Sequence, residues 1–228
     1  MDSHALMNVL IFVPALILAV SVHEAAHAWV AWKLGDATAQ MLGRVTLNPV
    51  RHIDPFGSVI VPIILAVSGG GMFGWAKPVP VDTGNLEEPK KDHALIAAAG
   101  PISNLLLALV AAFLLRGLLF LPESLIFVVK PLANLMYALI WINVILAVFN
   151  MLPIPPLDGS KVVAILLPDD AAEAYMSIGA YGFLIILLVF FFDPFHLNIW
   201  GKYLAPVIQT GTGFFESVAG LKAFGGVR

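Results

Sequence analysis

The chain contains no cysteine, which excludes disulfides and thiolate metal ligands, so any metal must be held by imidazole and carboxylate. Charge is scarce as well: 12% of residues are Asp, Glu, Lys or Arg, about half the share found in soluble domains. A net charge of −3 with no basic cluster gives no footing for a nucleic acid partner. Apolar residues take the place of the missing charge, making up 60% of the 228 positions at a mean hydropathy of +0.92. Such a chain is an integral membrane protein, with the lipid bilayer as its solvent. The N-terminal Met1-Asp2-Ser3-His4 lacks the positive region of a signal peptide, so the first apolar run is expected to stay as a transmembrane helix. No low-complexity tract, fixed-period repeat or soluble block interrupts the chain, and residues 1–228 read as one membrane domain.

Apolar runs and their breakers predict the elements. A first helix over about residues 5–34 stops at Gly35-Asp36 and carries Pro14, which is expected to kink it. Residues 36–55 mix β-branched residues with Pro and Asn and are expected to be short strands or extended loop. The apolar stretch 56–68 is too short to span, is broken by Pro62 and ends in Gly69-Gly70-Gly71, so it reads as re-entrant. A polar loop follows over 74–93, with Val79-Pro80-Val81 as an extended edge. Helices are then expected at about 94–121, 131–150 and 171–192, with a short segment at 159–167 and a moderately apolar, Gly-rich tail over 198–221. The fold expected is all-α and polytopic, with about four to six transmembrane or re-entrant helices and a core over 5–167.

His23-Glu24-Ala25-Ala26-His27 lies inside the first apolar run. Two histidines four apart on a helix share a face, so both imidazoles can reach one Zn²⁺, and the glutamate beside the first can act on water at the metal. Three ionisable residues within five positions of a membrane-length segment point the same way, because such groups are costly in lipid and usually functional. The helix spacing puts His23 roughly 27 Å from the start of the apolar run at about 1.5 Å per residue, close to the far interface.

Catalytic zinc usually takes three protein ligands, and this pair leaves the site one short. Asp158, flanked by prolines just after a spanning helix, is the best candidate. His52, His93 and His196 sit in polar or Pro-rich stretches and read as solvated loop histidines. For Asp158 to meet His23 and His27, an even number of crossings must separate them. Three apolar segments intervene, so the short one with Pro62 must fail to cross. That topology puts Lys33, Arg44, Arg51, Lys77, Lys90, Lys91 and Lys161 on the side of the site, against Arg116, Lys130 and Lys202 opposite. The positive-inside rule then makes the site's side, with the short extended segments, cytoplasmic.

With His23-Glu24-x-x-His27 on one membrane helix and Asn150-x-x-Pro153-x-Pro155-x-Leu157-Asp158-Gly159 after a later one, the sequence resembles the site-2 protease family of intramembrane zinc metalloproteases. Gly100-Pro101-x-x-Asn104 also looks like that family's glycine-and-asparagine motif. The three motifs run from residue 23 to 159, well over half of the chain. The resemblance implies one Zn²⁺ held by His23, His27 and Asp158, Glu24 as general base, and Asn150 near the site to hold substrate. Its substrates would be membrane proteins cut within or beside a transmembrane helix, commonly membrane-tethered regulators, in the cell membrane. The chain has no room for a PDZ insertion or a CBS-like domain and reads as a core-only member. Asn150 and Asn104 could donate to substrate or to a developing oxyanion, and Val45 to Leu47 or Val79 to Val81 could take an unwound substrate as an added strand. A metal transporter would instead need ionisable residues repeated along several spans, and a non-catalytic scaffold would show a lost catalytic residue.

Overall fold

A computed structural model describes residues 3–54, 57, 60, 77–189, 196 and 198–221. Helix α1, Ser3–Lys33, continues through Pro14 and ends just before Gly35-Asp36, as its sequence predicts. A single turn, α2 (Thr38–Met41), follows, then α3 (Pro89–Leu118), α4 (Ile126–Asn150), α5 (Asp158–Ala164), α6 (Asp169–Ser177), α7 (Gly182–Leu187) and α8 (Ala205–Val218). Among the described residues three segments are long and apolar enough to cross a membrane: Val9–Lys33, Pro89–Leu118 and Glu123–Asn150. The expected re-entrant stretch at 56–68 and its glycines lie outside the described residues, apart from Gly57 and Ile60.

The three long helices pack through small side chains and turn large ones outward. On α1, Ala15, Ala19, His23, His27 and Ala31 recur every fourth residue and are all buried. Ile96, Gly100, Asn104, Ala108 and Ala112 form the matching buried row on α3, and Leu139, Asn143 and Ala147 form that of α4. The outer faces carry Leu10, Leu18, Leu106, Phe113, Phe127 and Trp141, all exposed. A soluble protein would bury the large residues. Lipid removes that drive, and close backbone approach across Ala and Gly holds the helices together instead. Helix α8 joins this bundle through Ile208, Thr212 and Phe215.

Several elements depart from the sequence expectation. Helix α3 begins at Pro89 rather than near residue 94, because a proline fits the first helical position and Asp92 accepts the Glu88 N–H at 2.9 Å. Helix α4 likewise begins before Pro131, led in by a 3₁₀ turn at Glu123–Leu125. The single helix expected over 171–192 is divided: α6 starts at Asp169, a 3₁₀ turn spans Ile178–Tyr181, and α7 starts at Gly182, whose backbone lies against Pro155. Residues 190–195 lie outside the described residues.

No strand occurs among the described residues, so of the strand or loop read for 36–55 it is loop that forms, with helical turns at Thr38–Met41 and Pro49–Arg51. Side chains do the tying instead. Asp36 is completely buried and accepts from the Thr38 N–H, the Thr38 hydroxyl, the Asp82 N–H and the Asn85 amide at 2.5–3.1 Å. Burial opposes ionisation of Asp36, but those four donors outweigh it and hold its carboxyl below the usual carboxylate range. The Arg44 guanidinium donates to the carbonyls of Arg51, Lys77 and Pro78, taking acceptors that a ladder would need.

Candidate metal centre

His23 and His27 occupy successive turns of α1, both buried, with rings perpendicular and centroids 4.6 Å apart. Asp158 opens α5 beyond the proline-rich turn that follows α4. It reaches them because Gly159 packs directly on the Met151 carbonyl, where any side chain would overlap. Asp158 Oδ2 lies 3.2 Å from His23 Nε2 and 3.3 Å from His27 Nε2, and the two Nε2 atoms are 3.0 Å apart. Among the described residues this is the group of His, Asp and Glu able to hold a metal ion.

A chain of hydrogen bonds fixes what each of these atoms can do. Asn143 Nδ2 donates to the Leu139 carbonyl at 2.8 Å, so Asn143 Oδ1 is an acceptor. Asn104 Nδ2 donates to that oxygen at 2.7 Å and to the Ala19 carbonyl at 3.3 Å, which makes Asn104 Oδ1 the acceptor facing His23 Nδ1 at 2.6 Å. His23 Nδ1 therefore carries the proton. His27 Nδ1 must also donate, because its partner, the Ile96 carbonyl at 2.7 Å, can only accept. Each neutral imidazole thus turns an Nε2 lone pair towards a carboxylate oxygen.

Three lone-pair-bearing atoms converging in an apolar helix core fit a divalent cation. A proton on one imidazole satisfies one pair, whereas a cation at the centre engages all three. The separations lie near the roughly 3.3 Å edge of a tetrahedron with bonds of about 2.0 Å, and two imidazoles favour zinc over magnesium or calcium. Asp158 keeps its second carboxylate oxygen outside the cluster. Lys161 Nζ donates to the other oxygen, Oδ1, at 3.1 Å and leaves Oδ2 for the centre.

Not every residue singled out in the sequence joins this cluster. Glu24 is half-buried beside it, and no hydrogen bond or ion pair engages its carboxylate among the described residues. Asn104, a candidate donor to substrate or oxyanion, has both of its N–H groups engaged, and its oxygen holds His23. Asn150 donates to the Leu146 carbonyl of its own helix at 3.0 Å and is not part of the metal group. His52 is buried against the Thr46 carbonyl, and His93 lines a small cavity with Lys90 and Lys161. Neither they nor His196 belong to the cluster.

Asn143 is the residue that sequence reading missed. Its signal was present: an amide in mid-span of a membrane-length helix, in register with Leu139 and Ala147, where polar groups are rare and usually paired. Replacing Asn143 with Ala is expected to weaken metal binding roughly 10–100-fold by freeing Asn104 and with it the His23 ring. Competition against a chromogenic chelator measures this, and unchanged affinity would remove the relay from the account.

The sequence model of peptidase family M50 matches residues 11–190. The chain belongs to peptidase family M50. YwhC of Bacillus subtilis, which carries a zinc metalloprotease name, is 39% identical over 198 residues, covering 86% of this chain and 84% of its own. Rip2 of Mycolicibacterium smegmatis and Rip2 of Mycobacterium tuberculosis, named likewise, are 30% and 31% identical, and each is covered over 67% of its length. No solved structure matches. As an M50 peptidase the chain is a membrane-embedded protease, in keeping with its three long apolar helices.

Proposed function

We propose that this M50 protein is an intramembrane zinc metalloprotease that hydrolyses peptide bonds in or beside the transmembrane helix of another membrane protein. His23, His27 and Asp158 hold one zinc ion per chain, and Glu24 is the general base. The observation that carries the reading is the approach of Asp158 Oδ2 to within 3.3 Å of both imidazoles inside a bundle of membrane-length helices.

Bound zinc supplies a Lewis acid that polarises a carbonyl and lowers the pKa of water to about 7. The protein's own groups do the rest. Glu24, its carboxylate unengaged, takes the proton from the attacking water and hands it to the leaving amide nitrogen. Asn104 and Ile96 hold the imidazole rings in place, and Lys161 holds the carboxylate. Asn150 keeps one N–H and its oxygen free of partners among the described residues, so it is the amide able to meet substrate. The cluster lies at the end of the bundle that carries Lys33, Arg44, Arg51, Lys77, Lys90, Lys91 and Lys161, which makes that end cytoplasmic in a cell membrane.

The test is cleavage of a reporter carrying a single transmembrane helix, with protein and reporter in the same vesicles. Stripping the metal with phenanthroline is expected to abolish cleavage and stoichiometric zinc to restore it. Magnesium or calcium restoring activity as well as zinc would overturn the assignment of the metal. A reporter cut equally well as a soluble peptide would overturn the intramembrane substrate.

A further inference from the structure

Beyond the metal cluster, the loop after α1 and the segment before α3 enclose a cavity of about 270 Å³ lined by Arg44, Arg51 and Lys77 among Leu42, Val50 and Ile53. Among the described residues no acidic side chain lines it. Neither Arg51 nor Lys77 pairs with an acidic residue among the described residues, and both are exposed. Arg44 is the reverse case, 5% exposed, with a guanidinium fastened to three backbone carbonyls and its Nε–H buried without a partner. The loop therefore fixes one cation in place, leaves one of its donors unmet, and sets two exposed cations beside it.

The surroundings of this cavity identify what fills it. Leu42 and Val50 in its wall, and Met41 and Leu47 in the same loop, stand exposed, between 57% and 75% accessible, which polar solvent disfavours and acyl chains welcome. The loop leaves α1 just past exposed Trp29 and Trp32, with the Lys33 ammonium over both rings. Tryptophan and lysine at the end of a membrane helix mark the headgroup level. A ligand that meets cations and bare apolar side chains at that depth must join an anion to hydrocarbon.

We propose that this cavity binds the phosphate headgroup of an anionic phospholipid, with Arg44, Arg51 and Lys77 on the phosphate and the acyl chains along Leu42, Leu47 and Val50. The shared chemistry is a phosphate monoanion; the exposed apolar rim assigns it to lipid rather than to free phosphate. An acidic stretch of a protein partner would satisfy the cations but leave the rim in water. The lipid site stands independently of the zinc reading, since it uses none of the same residues.

The experiment titrates the purified protein in a neutral maltoside with short-chain phosphatidylglycerol and with phosphatidylcholine of equal chain length, counting bound lipid by native mass spectrometry. Phosphatidylglycerol is expected to bind more tightly, and the double variant R51Q/K77Q to lose roughly 30-fold of that affinity, the share that two basic side chains at a membrane surface supply. The unfolding temperature of the double variant shows that the fold is intact, and K130Q, at the other end of the bundle, should keep full affinity. Equal binding of the two lipids, or a preference that survives in R51Q/K77Q, would overturn the proposal. So would displacement of the lipid by inorganic phosphate, or by an acidic peptide, at concentrations matching the lipid's own.

Discussion

Replacing Glu24 with Gln is expected to slow cleavage of a membrane-tethered reporter by roughly 10²–10⁴-fold while zinc content stays at one ion per chain. The substitution keeps the shape of the side chain and removes only its ability to take a proton. Glu24 supplies no atom to the three-residue cluster, and no hydrogen bond of the described fold depends on its carboxylate, so metal and fold should survive. The combination is diagnostic. Loss of zinc together with cleavage would make Glu24 a ligand. Cleavage at the original rate would defeat the protease mechanism, and metal flux across vesicles that persists in the variant would favour transport.

The second large effect is expected from Gly100→Ala. A Cβ at position 100 would stand 2.5 Å from His23 Cε1, His27 Cε1 and His27 Nε2, closer than such atoms approach, and those imidazoles have little freedom to retreat. Each ring is pinned on its far side by Asn104 or by the Ile96 carbonyl. Either the rings turn away from Asp158 or α3 slides from α1; both open the cluster, and a displacement near 1 Å at reacting groups lowers rates by roughly 10²-fold. In an open helix the same change would raise stability by up to about 1 kcal/mol, through helix propensity. The expected result is therefore a protein with normal or increased helicity, weakened zinc affinity and at least roughly 10²-fold less activity. Equal zinc affinity in the two proteins, measured by chelator competition, would show that the α1–α3 approach is looser than it stands here.

The parts of this architecture that were legible in the sequence are those set by spacing. His23 and His27 share a face because four residues nearly complete a helical turn, and no tertiary context is needed to see it. Asp158 stood out as a carboxylate among prolines just after a membrane-length helix, where few other ligand candidates lie. Less legible were features decided by a neighbour. The break near Ile178 to Gly182 arises where that segment meets Pro155, far away in sequence. The loop after α1 has strand-like composition, yet the Asp36 and Arg44 side chains consume its backbone donors and acceptors. Asn104 stood only as a candidate donor to substrate, because an asparagine shows its chemistry but not its partners; Asn143, which completes its bonding, lies on another helix.

The order of these pieces along the chain has a consequence for biosynthesis. A ribosome delivers the two imidazoles into the bilayer early, and the carboxylate that completes the trio emerges only after α3 and α4 have both been threaded. On the proposed ligand set, a half-made or prematurely terminated copy holds only two of its three metal ligands. By the proposed mechanism, cleavage therefore waits until the chain's own insertion is finished.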